Sequence, residues 1–273
     1  GSVKRVHCGW AAHAGVTAAL FARQGLTAPD TVLEGRFGFF QAFTGLHPLD
    51  DGFLAGLGDE WELDRCFIKP YPTNVFTHTG IDAAMVLSRR GIDVDDIERI
   101  ELSVPMAVTR TIAEPREAKI RPQSPYHAQF SGPLTFAMAW RGGGGLGLTL
   151  DDFTQEALDD PLVRAIAERV HYVPDAEVEA LYPHRLPTIA RVHLRGGAVV
   201  EERIMANLGT THRPLAPAQV RTKFDLNVRA LGDRKAAALR DAIDALAAGV
   251  DVRSTFAALG GGAPDAAVAA QAR

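Results

Sequence analysis

Strand-like sequence is confined to the middle of the chain, and this constrains the fold more than any other feature. Residues 100–104 (IELSV) alternate apolar and polar side chains, which is the pattern of a half-buried β-strand. Residues 191–195 and 198–204 predict two further strands, and Gly196-Gly197 between them is typical of a tight hairpin. The strands therefore belong to one central region.

Helix-forming sequence precedes and follows these strands. Residues 10–24 (WAAHAGVTAALFARQ) are rich in Ala and Leu and stop before Gly25, a residue typical of a helix C-terminus. They are apolar on nearly every side, which predicts a buried helix. Residues 77–90 and 217–248 predict further helices.

This order of elements predicts an α+β protein, with a mostly helical domain, an inserted smaller α/β domain and a cleft between them. Residues 1–94 are expected to form part of the helical domain, and residues 95–208 the inserted domain. Residues 209–259 should be helices that return to the helical domain, and residues 260–273 a flexible tail.

Composition excludes several classes of protein. The 273 residues carry a net charge of -4, so no basic balance favours nucleic acid as a partner. No run of 18 apolar residues occurs, so we expect no membrane span. Two cysteines, Cys8 and Cys66, exclude a disulfide framework and a four-cysteine zinc or iron–sulfur site. The histidines show no metal-ligand spacing, and without a signal peptide we expect a cytoplasmic protein that binds no metal.

Residues 4–13 (KRVHCGWAAH) concentrate cations just before the first helix. Lys4, Arg5, His7 and His13 would surround a helix N-terminus, which attracts anions through its dipole and its free amides. The alternative is that Lys4 and Arg5 are solvated and that His13 is an ordinary core histidine.

Residues 69–78 (KPYPTNVFTH) form a second candidate site. The two prolines stiffen the segment, so that Lys69 is held in place, and the following helix could join it in binding a carboxylate. His78 would lie in the first turn, where the helix dipole favours the neutral ring and leaves it able to act as a base or donor. Asn74 lies between them, and the alternative is a rigid connector capped by Thr77.

Residues 124–133 (SPYHAQFSGP) place polar side chains beside a helix that Gly-Pro should break. Gln129 and Ser131 could line a cleft there. A plain helix start is the alternative.

Five blocks of sequence, in this order, resemble the 2-methylcitrate dehydratase (MmgE/PrpD) family, which includes 2-methylcitrate dehydratase, cis-aconitate decarboxylase and iminodisuccinate epimerase. The resemblance extends from residue 1 to about residue 230. The blocks are KRVHCGWAAHAGVTAALFARQGLTAP, LEGRFGFFQAF, KPYPTNVFTHTGIDAAM, HAQFSGPLTFAMA and RPLAPAQVRTKF.

The resemblance implies a large helical domain with a smaller α/β lid, and chemistry on small di- and tricarboxylates without a cofactor. Lys4 and His7 match the family's K-x-x-H-x-G block, and Lys69 matches its second active-site lysine. His78 matches a histidine common among members, whereas Asn74 stands where some decarboxylase-like members have a catalytic histidine. Arg5, His13, Asn74, Gln129 and Ser131 are the expected substrate-binding residues.

Two departures from the family pattern stand out. His127 occupies a position where many members have Asp. Members also carry a helical segment before the Lys4 block that supplies further site residues, so we expect this segment to be missing from the chain or to belong to a separate chain. The apolar helix at residues 10–24 should pack on that segment, so we expect the chain alone to expose an unusual apolar surface there.

The sequence thus predicts a cofactor-independent lyase, in which Lys4, His7, Lys69 and His78 are catalytic and a small polycarboxylate loses water after proton abstraction. A homodimer is expected. An isomerase or epimerase of the same family, and a degenerate non-catalytic subunit, remain alternatives.

Overall fold

The computed structural model describes residues 2–45, 52, 55–246, 248, 249 and 253, with only the backbone of Ser2 and Arg5. By its internal contacts the chain divides into two compact units, Gly1–Trp61 and Glu62–Arg273. The predicted α+β class is confirmed, since helices accompany a four-stranded mixed sheet.

The first unit is helical where it is described. A 3-10 turn at Ser2–Val6 leads into α1 (His7–Arg23), and α2 (Phe39–Thr44) follows. Gly25 has a φ of 92°, a left-handed value that glycine adopts without strain, so the predicted helix end is confirmed.

None of the side chains of α1 is buried within the described residues. The burial expected from composition alone is therefore not found, whereas the exposed apolar surface expected for this helix without the family's preceding segment is. Trp10 is 73% exposed and Phe21 53%. A helix that is apolar all round normally lies in a core, so this exposed surface is unusual for a helix of such composition.

The second unit is built on one sheet in the order β2-β1-β3-β4. Strand β1 pairs with β2 in parallel and with β3 antiparallel, and β3 pairs antiparallel with β4. The predicted hairpin is confirmed: Gly197 has a φ of 83°, and the amide of Leu194 donates to the carbonyl of Ala198 at 2.8 Å. The strands are β1 (Ile97–Ser103), β2 (Val170–Tyr172), β3 (Thr188–Leu194) and β4 (Val199–Ile204).

Helices cover this sheet and extend beyond it. The predicted break at Gly132-Pro133 is present, since one short helix ends at Ala128 and the next begins at Gly132. The helices are α3 (His78–Ser88), α4 (Met106–Ile112), α5 (Arg116–Ile120), α6 (Pro125–Ala128), α7 (Gly132–Arg141), α8 (Gln155–Asp159), α9 (Pro161–Arg169), α10 (Ala176–Leu181), α11 (Pro217–Val228) and α12 (Asp233–Leu246).

The second unit begins at Glu62, well before the first strand at Ile97, and its core explains why. Helix α3 packs against α7, β3 and β4, and its fully buried Ile81, Ala84 and Leu87 join Ile100 of β1 in one apolar cluster. The predicted boundary at residue 94 therefore falls inside this unit. Helices α11 and α12 also belong to this unit. That they return to the helical domain stays a prediction. The predicted tail, residues 260–273, lies outside the described residues.

In the part of the chain that the structure describes, no helix combines the length and the apolar character needed to cross a bilayer.

Candidate functional site

Lys69 lies on a segment that the protein anchors on both sides. The amide of Ile68 donates to the carbonyl of Gly209 at 3.1 Å, and Pro70 and Tyr71 on the other side are buried. The Lys69 side chain is exposed, and its Nζ lies 3.5 Å from the carbonyl of Thr73. A stiff, anchored backbone therefore presents an accessible ammonium.

Gly209 leaves the room that this segment needs. Its φ is 91°, and a Cβ built on it would lie 2.0 Å from the carbonyl oxygen of Ile68. Only a residue without a Cβ fits at such a distance from rigid backbone.

Gly209→Ala should therefore displace the Lys69 segment and lower the free energy of unfolding by roughly 3 kcal/mol or more, since left-handed strain of about 1–3 kcal/mol adds to the clash. Chemical denaturation measures this change. Gly197→Ala is the matched control, because Gly197 has a φ of 83° but meets nothing within 4 Å. Equal losses in the two variants would contradict the steric account.

Behind the Lys69 segment lies a buried polar network. The hydroxyl of Tyr71, which is fully buried, donates to one carboxylate oxygen of Asp82 on α3, and the guanidinium of Arg213 donates to the other. Burial raises the pKa of Asp82, while the Tyr71 hydrogen bond and the Arg213 charge oppose the rise. Burial and the neighbouring Asp82 raise the pKa of Tyr71, which stays protonated as a donor.

His78 is the first residue of α3, as predicted, and it is fully buried. Its ring meets that of Tyr71 edge to face, with centroids 5.3 Å apart. Neither ring nitrogen has a hydrogen-bond partner among the described residues. Burial lowers the pKa of His78 to about 3, and the positive charges of Lys69 and, to a smaller extent, Lys223 contribute to this decrease. The nearby carbonyl of Thr73 opposes the decrease, although it does not form a hydrogen bond with the ring.

His78 should consequently stay neutral from pH 5 to pH 9, with imidazole 15N and 13C shifts that do not titrate. A His78 midpoint near the ordinary histidine value of about 6.5, measured by NMR with His78→Gln as the assignment, would contradict the burial effect.

Asn74, Gln129 and Ser131 have structural contacts beside this segment. The side-chain oxygen of Asn74 accepts from the backbone amide of Phe76 at 3.0 Å. The backbone amide of Asn74 donates to the carbonyl of Gln129 at 2.8 Å. Ser131 is fully buried: its hydroxyl accepts from the amide of Leu134 and donates to a backbone carbonyl, so that it caps α7. Gln129 has a half-buried side chain next to Asn74. That Gln129 and Ser131 contact a substrate stays a prediction.

The remaining predicted residues lie in the first unit. Lys4, His7 and His13 are all exposed, and α1 begins at His7. The ring of His13 stacks on that of Trp10, with centroids 5.8 Å apart. The side chain of Arg5 lies outside the described residues. That these residues act together with Lys69 and His78 stays a prediction.

A cleft of about 490 Å³ adjoins the Lys69 segment. Its walls are Pro70 and Pro72, the loop 146–151 and the face of α11 that carries Lys223. Lys223 belongs to the RPLAPAQVRTKF block, but it is not among the site residues predicted from the sequence. It lies in the middle of the helix that begins at Pro217, where the sequence alone does not distinguish it from an ordinary surface lysine. Among the described residues no group of three or more His, Cys, Asp and Glu side chains could hold a metal ion.

Family models match most of this chain. The MmgE/PrpD C-terminal domain matches residues 71–248, and the MmgE/PrpD N-terminal domain matches residues 1–51. The chain belongs to the MmgE/PrpD family. The C-terminal domain match includes His78, Asp82 and Lys223, whereas Lys69 lies between the two matched ranges.

A curated relative is the cis-aconitate decarboxylase of Homo sapiens. It is 27% identical to this MmgE/PrpD chain over 238 residues, which is 82% of this chain and 46% of the relative. The chain thus spans about half the length of that protein.

Proposed function

We propose that this chain is part of a cofactor-independent lyase that removes water from a small di- or tricarboxylate. The arrangement that carries the proposal is the accessible Lys69 ammonium on an anchored, proline-flanked segment, with the buried imidazole of His78 behind it. Membership of a family that includes dehydratases and decarboxylases supports lyase-like chemistry in general terms.

The chemistry requires a cation where negative charge develops. A base removes the proton next to a carboxylate, the electron pair forms a carbon–carbon double bond, and the hydroxyl on the neighbouring carbon leaves with a proton as water. During this step charge accumulates on the carboxylate as in an enolate, and a fixed ammonium such as Lys69 stabilises it. Lys4 would bind a second carboxylate and His7 would move protons, as the resemblance implies.

His78 would contribute as a neutral group. Its two nitrogens lack partners, which is costly for a buried polar side chain, so a ligand that reaches the ring would gain a donor and an acceptor. A carboxylate on Lys69 would also cancel part of the repulsion that lowers the pKa of His78, and the ring would become more basic as the substrate binds.

Decarboxylation is a less suitable reaction for this site. Asn74 stands at the position of a catalytic histidine in some decarboxylase-like members, and its carboxamide does not exchange protons near neutral pH. Its oxygen already caps the turn at Phe76. An epimerase shares the proton abstraction and returns the proton without loss of water. A non-catalytic subunit is favoured by one observation, namely that His78 has no solvent-exposed surface.

Incubation with 2-methylcitrate, citrate, cis-aconitate and iminodisuccinate in D₂O, followed by proton NMR, separates these functions. A dehydratase produces or consumes vinylic signals, an epimerase exchanges the proton next to the carboxylate for deuterium without a new product, and a decarboxylase releases carbon dioxide. A lyase of the proposed kind should give the first result. The same incubations are carried out with the chain alone and with the other half of the family's enzyme added in trans. If the substrates bind under both conditions but are neither exchanged nor turned over, the proposed lyase function is wrong.

A further inference from the structure

Lys223 reaches into the cleft beside the Lys69 segment without a partner. It lies on α11 and is half-buried, and no hydrogen bond or ion pair joins it to any residue in the described part of the chain. An ammonium that is partly removed from water without an acceptor is unfavourable, and a bound anion would relieve that cost.

Lys119 shows what a structural lysine looks like in this protein. Burial lowers the pKa of both Lys119 and Lys223. Lys119, however, donates to the carbonyls of Thr111 and Phe130, the second at 2.9 Å, and so completes the loop before α7. Since Lys223 makes no such bond, its position has no comparable structural explanation.

The other charges of the cleft cancel. Asp151 and Arg229 form an ion pair with each other at the rim, where both are largely exposed. Lys223 therefore contributes the one uncompensated charge among the described residues that line the cleft. Leu146, Leu148 and Leu226 supply apolar walls. A ligand that fits has a negative group for Lys223 and a hydrocarbon portion for these walls.

Lys223 and Lys69 also act on the same buried ring. The charges of both lower the pKa of His78, which places both ammonium groups within electrostatic reach of that imidazole. Pro70 and Pro72, which form one wall of the cleft, belong to the segment that carries Lys69. The cleft thus adjoins the segment that carries Lys69.

We propose that this cleft is a carboxylate subsite in which Lys223 binds one carboxylate of the ligand while Lys69 binds another. This inference rests on the proposed function for its ligand class. It assigns Lys223 to ground-state binding and recognition, so Lys223 should affect substrate affinity more than the chemical step.

The direct test is ¹³C reductive methylation of the five lysines, which preserves their charge, with each signal assigned from a single Lys→Arg variant. Propane-1,2,3-tricarboxylate, which has no hydroxyl to lose, is added at constant ionic strength and the lysine signals are titrated with pH. The Lys223 signal should move saturably and its pKa should rise, because the carboxylate stabilises the ammonium. Lys119 and Lys235 should not respond, and the corresponding triamide should move none of them.

The outcomes are distinguishable. A response of Lys69 without one of Lys223 would overturn the subsite and leave the proposed function standing. A saturable Lys223 response in a protein without turnover would retain the subsite and remove the lyase. A linear response shared by Lys235 would mean general screening and would also overturn the subsite.

Kinetics give an independent check on any substrate that is turned over. Lys223→Met should raise KM roughly 10- to 100-fold with kcat little changed, which is the loss of one charge-assisted hydrogen bond made equally in ground and transition state. Lys223→Arg should restore much of the affinity, and Lys235→Met should behave as the wild type. An unchanged KM in Lys223→Met with the same fold stability would contradict the subsite.

Discussion

Replacing Lys69 by alanine is expected to lower kcat roughly 10²–10³-fold on the substrate of this site, with little change in melting temperature. The side chain is exposed, and the prolines and the Ile68–Gly209 pairing hold the backbone, so its removal leaves the core intact. One charge-assisted hydrogen bond to a carboxylate contributes roughly 1.5–3 kcal/mol, or about 10- to 150-fold. Stabilisation of developing enolate charge moves the loss onto kcat and towards the larger value.

Steady-state kinetics and thermal melts on the same samples measure both parts of this expectation. Lys235→Ala, on α12 and outside the cleft, controls for the general loss of a positive charge. A kcat/KM within about twofold of the wild type would remove Lys69 from the site. A loss confined to KM would instead make Lys69 a ground-state anchor, like Lys223.

The parts of the fold that follow from local sequence signals could be predicted. Prolines on both sides of Tyr71 and the helix-forming run after Thr77 identify α3 and place His78 in its first turn. The hairpin follows from alternation around Gly196-Gly197, because a two-residue turn needs the left-handed φ that Gly197 adopts. These features depend on residues that are close together in the sequence, so the local sequence pattern is enough to predict them.

The parts that depend on distant contacts could not be predicted. Strand β2 has three residues, too few for an alternation to be visible, and exists because it pairs with β1 some 70 residues earlier. Lys223 is a second example, because the cleft that it lines is formed by segments that are distant from it in the sequence. The exposure of α1 did not follow from its own composition, which only indicates apolar contacts; it was expected because the resemblance implies a further segment against which this helix packs.

Arg213→Met is expected to be the most destabilising of these substitutions at neutral pH, at about 3–5 kcal/mol. Asp82 is 2% exposed, and its carboxylate is held by Tyr71 and Arg213, which are 11 and 131 residues away in sequence. Removing the guanidinium leaves a buried carboxylate with one donor. The Arg213 side chain is 40% exposed, so water can enter after its loss, and the lower end of that range is expected.

The cost should depend on pH in a defined direction. Arg213 holds the pKa of Asp82 below the value that burial alone would give, so its loss raises that pKa further above the ordinary value of 3.8. A folded state with the raised pKa binds a proton that the unfolded state has released, and stability then falls as pH rises from about 4 through the raised pKa. The gap between variant and wild type should accordingly be small near pH 4 and grow towards neutrality.

Chemical denaturation of both proteins at a series of pH values measures this gap. Arg221→Met is the matched control, because Arg221 pairs with Asp244 at the surface, where the two side chains are 45% and 56% exposed. Such a pair contributes at most about 1 kcal/mol, and its removal should show no comparable growth with pH. If Arg213→Met lowered the free energy of unfolding at neutral pH no more than Arg221→Met does, Asp82 would not be a buried charge that depends on Arg213. Apolar packing alone would then have to stabilise the region around Tyr71 and His78.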